Sequence, residues 1–350
     1  MIIYSKTSEL APAAIGRLDT PLKMIIEHES DLQKKKGGVA DLLFNIEKSN
    51  RFGETLVLGK EFDVFRYAAE GEAAEKDTIS ESRTKFIEHI QFMKEFVISA
   101  EMMEDANYGV AADAKRRAET FVRAYYKTMN KLCEAALINA TEETTTFAGS
   151  TLDLTTPDNL PLFHCEHLYG KGGIQSNHYF GNIFTEENED GDRIISLAKV
   201  EEALYKFSVM MRNMRDENNE PLGYTADTIV IPGNNPALEA AIKKVCGSTT
   251  SLANDASVNL NCGNWNIIVL PGWNTYENKA IIMSSEANKN LCGNMLFNRV
   301  PLTITNWVDN HTGNYIWNGR CRFGVGFGSY KHVILAHDTE NVVSTATEFE

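Results

Sequence analysis

The chain has 350 residues, of which 43% are apolar and 23% charged, and its formal net charge is −14 at pH 7. That composition excludes a disordered polymer, and the excess acid excludes a protein whose main work is gripping nucleic-acid phosphates. No window approaches the roughly 18 consecutive apolar residues of a membrane span. The length exceeds one typical core, so two lobes or one elaborated domain are expected. The start, MIIYSKTSELAPAAIG, lacks the sustained apolar region of a signal peptide. Six cysteines, at 133, 165, 246, 262, 292 and 321, have no regular spacing, and reduced thiols in a cytoplasm are the expected state.

Residues 1–50 read as an arm with diluted apolar content, QKKKGG (33–38) as a basic breaker, and VADLLFNIE (39–47) as its one short helix. A two-stranded excursion follows. FGETLVLGKEFDVFRY (52–67) is the outgoing strand and HIQFMKEFVIS (89–99) the return, with Ile90, Phe92, Phe96 and Ile98 on one face. The tip from Glu70 to Glu81 holds five acids and one lysine. It buries little apolar surface and is predicted to protrude.

SAEMMEDANYG (99–109) is predicted to start a helix, with Ser99 as its cap. The longest helix signal runs over 110–139, where Val110, Ala114, Ala118, Phe121, Tyr125, Met129, Leu132 and Ala136 form one stripe. At about 1.5 Å per residue this helix spans roughly 45 Å. Its other side carries Lys115, Arg116, Arg123, Lys127 and Lys131, which is either a solvated face or a surface for an acidic partner. Residues 140–195 are rich in loops. A second amphipathic helix follows over 196–214, with Leu197, Val200, Leu204, Phe207, Met211 and Met214 inward. TADTIVIPGNNPALEAAIKKVCGS (225–248) is strand, turn and helix, with Asn235 as cap, Pro236 at the first helical position and Gly247 at the end. Strands are predicted at 265–271, 279–285, 301–308, 314–327 and 331–338.

The densest chemistry is LPLFHCEHLYGKGGIQSN (160–177). His164 and His167 stand three apart, whereas a helical zinc pair usually stands about four apart and structural zinc sites need matched pairs. His178 is the nearest further ligand. GKGG (170–173) lacks the spacing and ending of a phosphate loop, and GVGFG (324–328) lies among strands instead of opening a helix, so both read as turns or close backbone approaches. There is no G-x-S-x-G and no cysteine with a recognisable partner. No catalytic constellation stands out.

Arm, protruding hairpin, long helix, loop region, strand–helix unit and returning strands, in that order, resemble the major capsid proteins of tailed bacteriophages, the HK97-like fold. KEFVISAEMMEDA (94–106) is similar to that family's junction ahead of its spine helix. LPLFHCEHLYGKGGIQSN resembles the LF…H…GG…N segment of Mu-type major head subunits, and EPLGYTADTIVIPGNNPALEAAIKKV (220–245) resembles their G-x-x-x-x-x-x-x-x-VP…LE…A segment. The resemblance covers most of 85–340.

The resemblance implies an α+β capsid fold: residues 1–50 as N-terminal arm, 51–88 as extended loop, 89–224 as peripheral domain with spine helix 110–139, 225–300 as axial domain, and 301–350 as return strands and tail. It implies self-assembly, through pentamers and hexamers, into the icosahedral head that encloses double-stranded DNA without sequence-specific contact. The location would be the virion capsid, assembled in the host cytoplasm, with no membrane, catalytic residue, metal or cofactor. The short arm points to a separate scaffolding protein, and portal and decoration proteins are further implied partners. The alternatives are an encapsulin-type shell around a cargo enzyme and a metal-dependent hydrolase on His164, His167 and His178. Charge adds one expectation. The acidic tip, with Glu70, Glu72, Glu75, Asp77 and Glu81, should meet a neighbour's helix face carrying Arg116, Arg123, Lys127 and Lys131. Each exposed pair is worth at most about 1 kcal/mol.

Overall fold

A computed structural model describes residues 3–6, 13–59, 67, 70, 73, 81–101, 109–170, 172–189, 192–251 and 258–349. In chain order the first elements are β1 (Ile3–Lys6), α1 (Ala13–Lys36), α2 (Val39–Leu43), β2 (Asn45–Lys48), β3 (Gly53–Gly59), β4 (Glu81–Glu88), β5 (Ile90–Ile98) and α3 (Gly109–Ile138). Short strands follow: β6 (Thr144–Phe147), β7 (Ser150–Asp153), β8 (His167–Tyr169), β9 (Gly173–Gln175), β10 (His178–Gly181), β11 (Thr185–Glu187) and β12 (Arg193–Ile195). Then come α4 (Leu197–Arg212), β13 (Thr228–Pro232), α5 (Pro236–Gly247), β14 (Asn266–Leu270), β15 (Lys279–Met283) and α6 (Ser285–Asn290). The last strands are β16 (Asn294–Val308), β17 (Tyr315–Phe327), β18 (Val333–Asp338) and β19 (Thr347–Glu348). The chain divides into unit 1, made of Met1–Glu54, Ile87–Cys133 and Leu296–Val325, and unit 2, made of Thr55–Phe86, Glu134–Met295 and Gly326–Glu350.

Unit 1 is a sheet in the order β1-β16-β17-β5, with β2 also on β16. β1 runs parallel to β16, and β5 antiparallel to β17 with Phe96 opposite Trp317. The apolar stripe of α3 packs on this sheet: Ala114, Ala118, Phe121 and Val122 are buried with Ile98, Leu302, Ile304 and Trp317. Phe96 stacks on Trp317 at 5.1 Å and meets Phe121 edge-on at 5.2 Å. The backbone at Gly319 admits this approach, because a Cβ there would run into the Phe121 ring.

Two expectations are corrected in this unit. The stretch read as a coreless arm carries α1, a helix of 24 residues. Its Leu22 and Ile26 lie in the unit 1 core. Gly16 and Pro21 dilute the helix signal in the sequence, and burial of the helix's apolar side against α3 overrides it. The QKKKGG breaker is the helix end. Lys34, Lys35 and Lys36 form the last turn, where cations suit the dipole, and Gly37, at φ +67°, closes it with its N–H on the Gln33 carbonyl at 3.2 Å. Ser30 Oγ and Tyr126 Oη lie 2.8 Å apart, and Ala40 N–H donates to Asn130 Oδ1 at 3.1 Å, so this segment is fastened along α3.

The excursion also pairs differently from the expected two strands. Its outgoing strand β3 pairs with β4, while Ile90–Ile98 pairs with β17. The alternation of Ile90, Phe92, Phe96 and Ile98 therefore serves the sheet under α3, with Phe92 stacked on Phe323 at 4.8 Å. The helix expected over 99–109 falls mostly on 102–108, outside the described residues.

Unit 2 is built on a six-stranded sheet in the order β14-β13-β15-β18-β10-β19. β13, α5 and β14 form a parallel crossover, and β15 returns antiparallel to both β13 and β18. The stripe of α4 (Val200, Leu204, Phe207, Met211) and that of α5 (Leu238, Ile242, Val245) bury against Ile229, Ile231, Ile282 and Ile334. Asn235 caps α5 as expected, its Oδ1 accepting the Leu238 N–H at 3.0 Å while its amide donates to Asn278 Oδ1 at 2.8 Å. No helix among the described residues is long and apolar enough to cross a membrane.

Replacing Gly319 by valine is expected to force Phe121 and Leu302 apart and to lower stability by about 1–3 kcal/mol. A urea titration would read this as a lower midpoint at unchanged slope.

Candidate assembly surface

The segment 160–177 folds as a structural knot within unit 2. His167 is fully buried and stacks on the Tyr330 ring at 3.8 Å. Its Nδ1 lies 2.7 Å from Asp158 Oδ2 and its Nε2 lies 3.1 Å from the Leu162 carbonyl. Since a carbonyl only accepts, Nε2 carries a hydrogen, and neither ring nitrogen faces open space. Burial works against the Asp158 charge, but hydrogen bonds from His167, Thr156 and the Leu160 N–H together hold the carboxyl below its ordinary range. Asn177 closes the segment: its amide donates to the Leu162 carbonyl at 2.7 Å and the Tyr330 carbonyl at 3.2 Å, and its Oδ1 accepts the His164 N–H at 3.0 Å. Between β8 and β9, Gly170 stands at φ +54° and Gly172 at φ +101°. GVGFG lies where backbones approach closely. A Cβ on Gly324 would meet the Glu88 carbonyl, and one on Gly328 the Cys292 carbonyl.

His178 is buried beside His337, their ring centroids 6.4 Å apart. His178 Nδ1 is 3.4 Å from Thr345 Oγ1, and its Nε2 has no hydrogen-bond partner among the described residues. No group of three or more His, Cys, Asp or Glu side chains among the described residues is placed to hold a metal ion.

Burial sets the protonation of three histidines. It pushes His178 down to about 3, with His337 adding to the shift, and His332 down to about 3. Burial and then Lys279 push His337 down to about 4, against the pull of Glu277.

The expected surface residues fall as follows. Glu70 is exposed in a turn and Glu81 begins β4, while Glu72, Glu75 and Asp77 lie outside the described residues. On β3 and β4, Val57 and Phe86 are about half exposed, at 45% and 52%. β4 is held at its Lys85 by an ion pair to Asp153 and a hydrogen bond to Thr155 Oγ1 at 2.5 Å, and Arg83 donates to the Leu168 carbonyl at 3.0 Å. On α3, Arg116, Arg123, Lys127 and Lys131 are all exposed. Their spacing of seven, four and four sets them on one helical stripe. Arg123 is engaged within the chain, donating to Glu29 Oε1 at 2.7 Å, and this hydrogen bond holds the Glu29 carboxyl below its usual range. Arg116, Lys127 and Lys131 have no ion pair among the described residues. The sequence reading missed Glu29 as the partner of Arg123 and Asp158 as the partner of His167. The only signals were a carboxylate on the unrecognised helix α1 and an Asp in a TTPDNLP turn.

A family model described as phage capsid protein matches residues 85–336, more than two thirds of the chain. No curated protein matches it. Among solved structures the chain is similar to the capsid of Myoviridae Phage XM1, at 13% identity over 86% of this chain and 92% of that chain, with a TM-score of 0.49. It is similar to a Mycobacterium phage Patience chain at 11% identity, 98% and 94% coverage and a TM-score of 0.48. A virus-like particle from Pyrococcus furiosus is similar at 11% identity, 91% and 98% coverage and a TM-score of 0.44. The family model alone carries the assignment, and it does not single out the Mu-type head subunits.

Stability is expected to fall as pH drops from about 6.5 towards 4. Over that window the unfolded chain takes up protons that buried His178, His332 and His337 exclude. The depressed Asp158 adds a further loss only below its ordinary value of 3.8. Urea midpoints at pH 7, 6, 5 and 4 check this, and a flat profile would show that the three rings are not buried neutral. The match over 85–336 identifies the protein: this chain belongs to the phage capsid protein family.

Proposed function

We propose that this chain is a major capsid subunit of HK97-like design, whose copies self-assemble into the icosahedral head that encloses double-stranded DNA. The observation that carries the reading is the capsid family match over 85–336. Pentamers and hexamers are the building blocks. The hairpin of β3 and β4 within 51–88 acts as the extended loop over a neighbour, α3 as the spine of the peripheral part, and 225–300 as the axial part around the symmetry axes. The half-exposed Val57 and Phe86 support the loop role, since a neighbouring copy would cover them.

A shell subunit works by surface complementarity, so no catalytic residue or cofactor is assigned. The net charge of −14 fits a wall that confines DNA without gripping its sequence. The N-terminal stretch carries a 24-residue helix, α1, and is not the short arm from which a separate scaffolding protein is expected. Portal and decoration proteins remain partners that the family reading brings with it.

Charge orients neighbouring copies in this reading. The acidic tip from Glu70 to Glu81 meets Arg116, Lys127 and Lys131 of the next subunit, while Arg123 stays with its own Glu29. Single exposed pairs contribute about 1 kcal/mol at most, and repetition over a shell multiplies them.

Two measurements test this. The chain expressed alone, or with the gene products encoded beside it, is expected to give shells, tubes or ring-shaped capsomers in sedimentation and negative-stain microscopy. A persistent monomer under every such condition would sink the shell reading. Lys127→Glu with Lys131→Glu is expected to weaken assembly at low salt, and the combination with Glu72→Lys and Glu75→Lys to restore part of it. Assembly indifferent to both charge and salt would remove the tip–helix contact and leave the shell reading standing.

A further inference from the structure

The family match ends at residue 336, and the chain continues into a segment with its own docking site in unit 2. β19 adds to the free edge of β10, in parallel, with Tyr179 opposite Thr347 and Phe180 opposite Glu348. The Phe349 N–H donates to the Phe180 carbonyl at 2.8 Å. The Phe349 ring lies 4.8 Å from Phe207 of α4 and 6.4 Å from Tyr179, and Lys206 Nζ stands 5.1 Å from its centroid. Upstream, Thr345 Oγ1 is 3.4 Å from His178 Nδ1, and the Cys165 thiol lies 3.8 Å from the Ser344 carbonyl.

This attachment is thin for what it covers. β19 has two residues, both exposed, and Val342 in the approach is 84% exposed. Without β19, β10 would be the sheet edge, with unpaired N–H and C=O groups open to another strand. Main-chain pairing along an edge, with one aromatic seated in a side-chain pocket, is how extended peptides dock on sheets. Few buried contacts and a short ladder place the segment at the low-stability end of the fold.

We propose that the β10 edge, together with Tyr179, Phe207 and Lys206, is a peptide-docking groove that accepts, in place of residues 347–349 of its own chain, the same extended segment with its Phe349 from a second copy. Every copy carries the same groove and the same tail, so exchange conserves each contact. Wherever copies are held close together, the effective concentration of a neighbour's segment rises and lets it compete with the chain's own. The inference stands on the unit 2 geometry and is independent of the shell reading.

The test uses a fluorescent peptide spanning residues 340–350, followed by anisotropy. The chain truncated after Thr339 is expected to bind it saturably, and the same peptide with Phe349→Ala at least tenfold more weakly. The full-length chain carrying Phe349→Ala keeps every other contact and serves if truncation prevents folding. It is expected to bind the wild-type peptide at least tenfold more tightly than the unaltered chain does, because its own tail competes poorly. No binding by either altered chain, or binding indifferent to Phe349, would overturn the proposal.

Discussion

Phe121 reaches the unit 1 sheet because position 319 has no side chain, and the rest of that unit depends on this approach. With the ring seated over Gly319, Phe96 fits between Phe121 and Trp317. That fit fixes the register of β5 on β17 and points Ile98 inward. It also decides the other side of α3. Once Ala114, Ala118 and Phe121 face the sheet, helical geometry leaves Arg116, Lys127 and Lys131 in water. The cationic stripe thus follows from core packing and needs no separate device to expose it.

The same logic explains how the densest cluster of reactive side chains is used within the fold. Cys165 and two histidines fall within four residues at 164–167, a pattern that suggests ligation. In the fold their roles diverge. His167 is consumed by Asp158, the Leu162 carbonyl and the Tyr330 ring, and the His164 backbone by Asn177. A loop-rich stretch cannot bury its backbone without supplying partners for each polar group. Asn177, with an amide that donates twice and an oxygen that accepts, meets that demand at the crossing of Leu162, His164 and Tyr330. The residues look like a site because polar satisfaction and catalysis draw on the same side chains.

How legible each part was follows from the range of the forces involved. α3, α4 and the β13–α5–β14 unit were readable because each carries its own periodicity and, for α5, a cap three residues from the N–H it binds. α1 was not, since Gly16 and Pro21 speak against a helix locally and the stabilising partners lie on α3, about a hundred residues away in the sequence. The return strand was assigned to the wrong partner for a related reason. Alternation shows that Ile90–Ile98 is a strand but not which strand lies beside it, and its partner, β17, is more than two hundred residues distant. The pairing of Arg123 with Glu29 was hidden by the same gap.

The engaged state of Arg123 bears on how a strongly acidic chain can still present cations. A lone arginine beside free carboxylates would be neutralised wherever the chain allowed it. Here Glu29, held at 6% exposure on α1, takes Arg123 at 2.7 Å. The pair ties α1 to α3, and it leaves the stripe with Arg116 at one end and Lys127 and Lys131 at the other. In the proposed shell these are the charges available to a neighbour. Their value there is geometric more than energetic: exposed pairs are weak singly and screened by salt. Like-charge contacts nevertheless disfavour wrong registers. A subunit that must find one orientation among many, many times over, gains more from excluding errors than from any single strong bond.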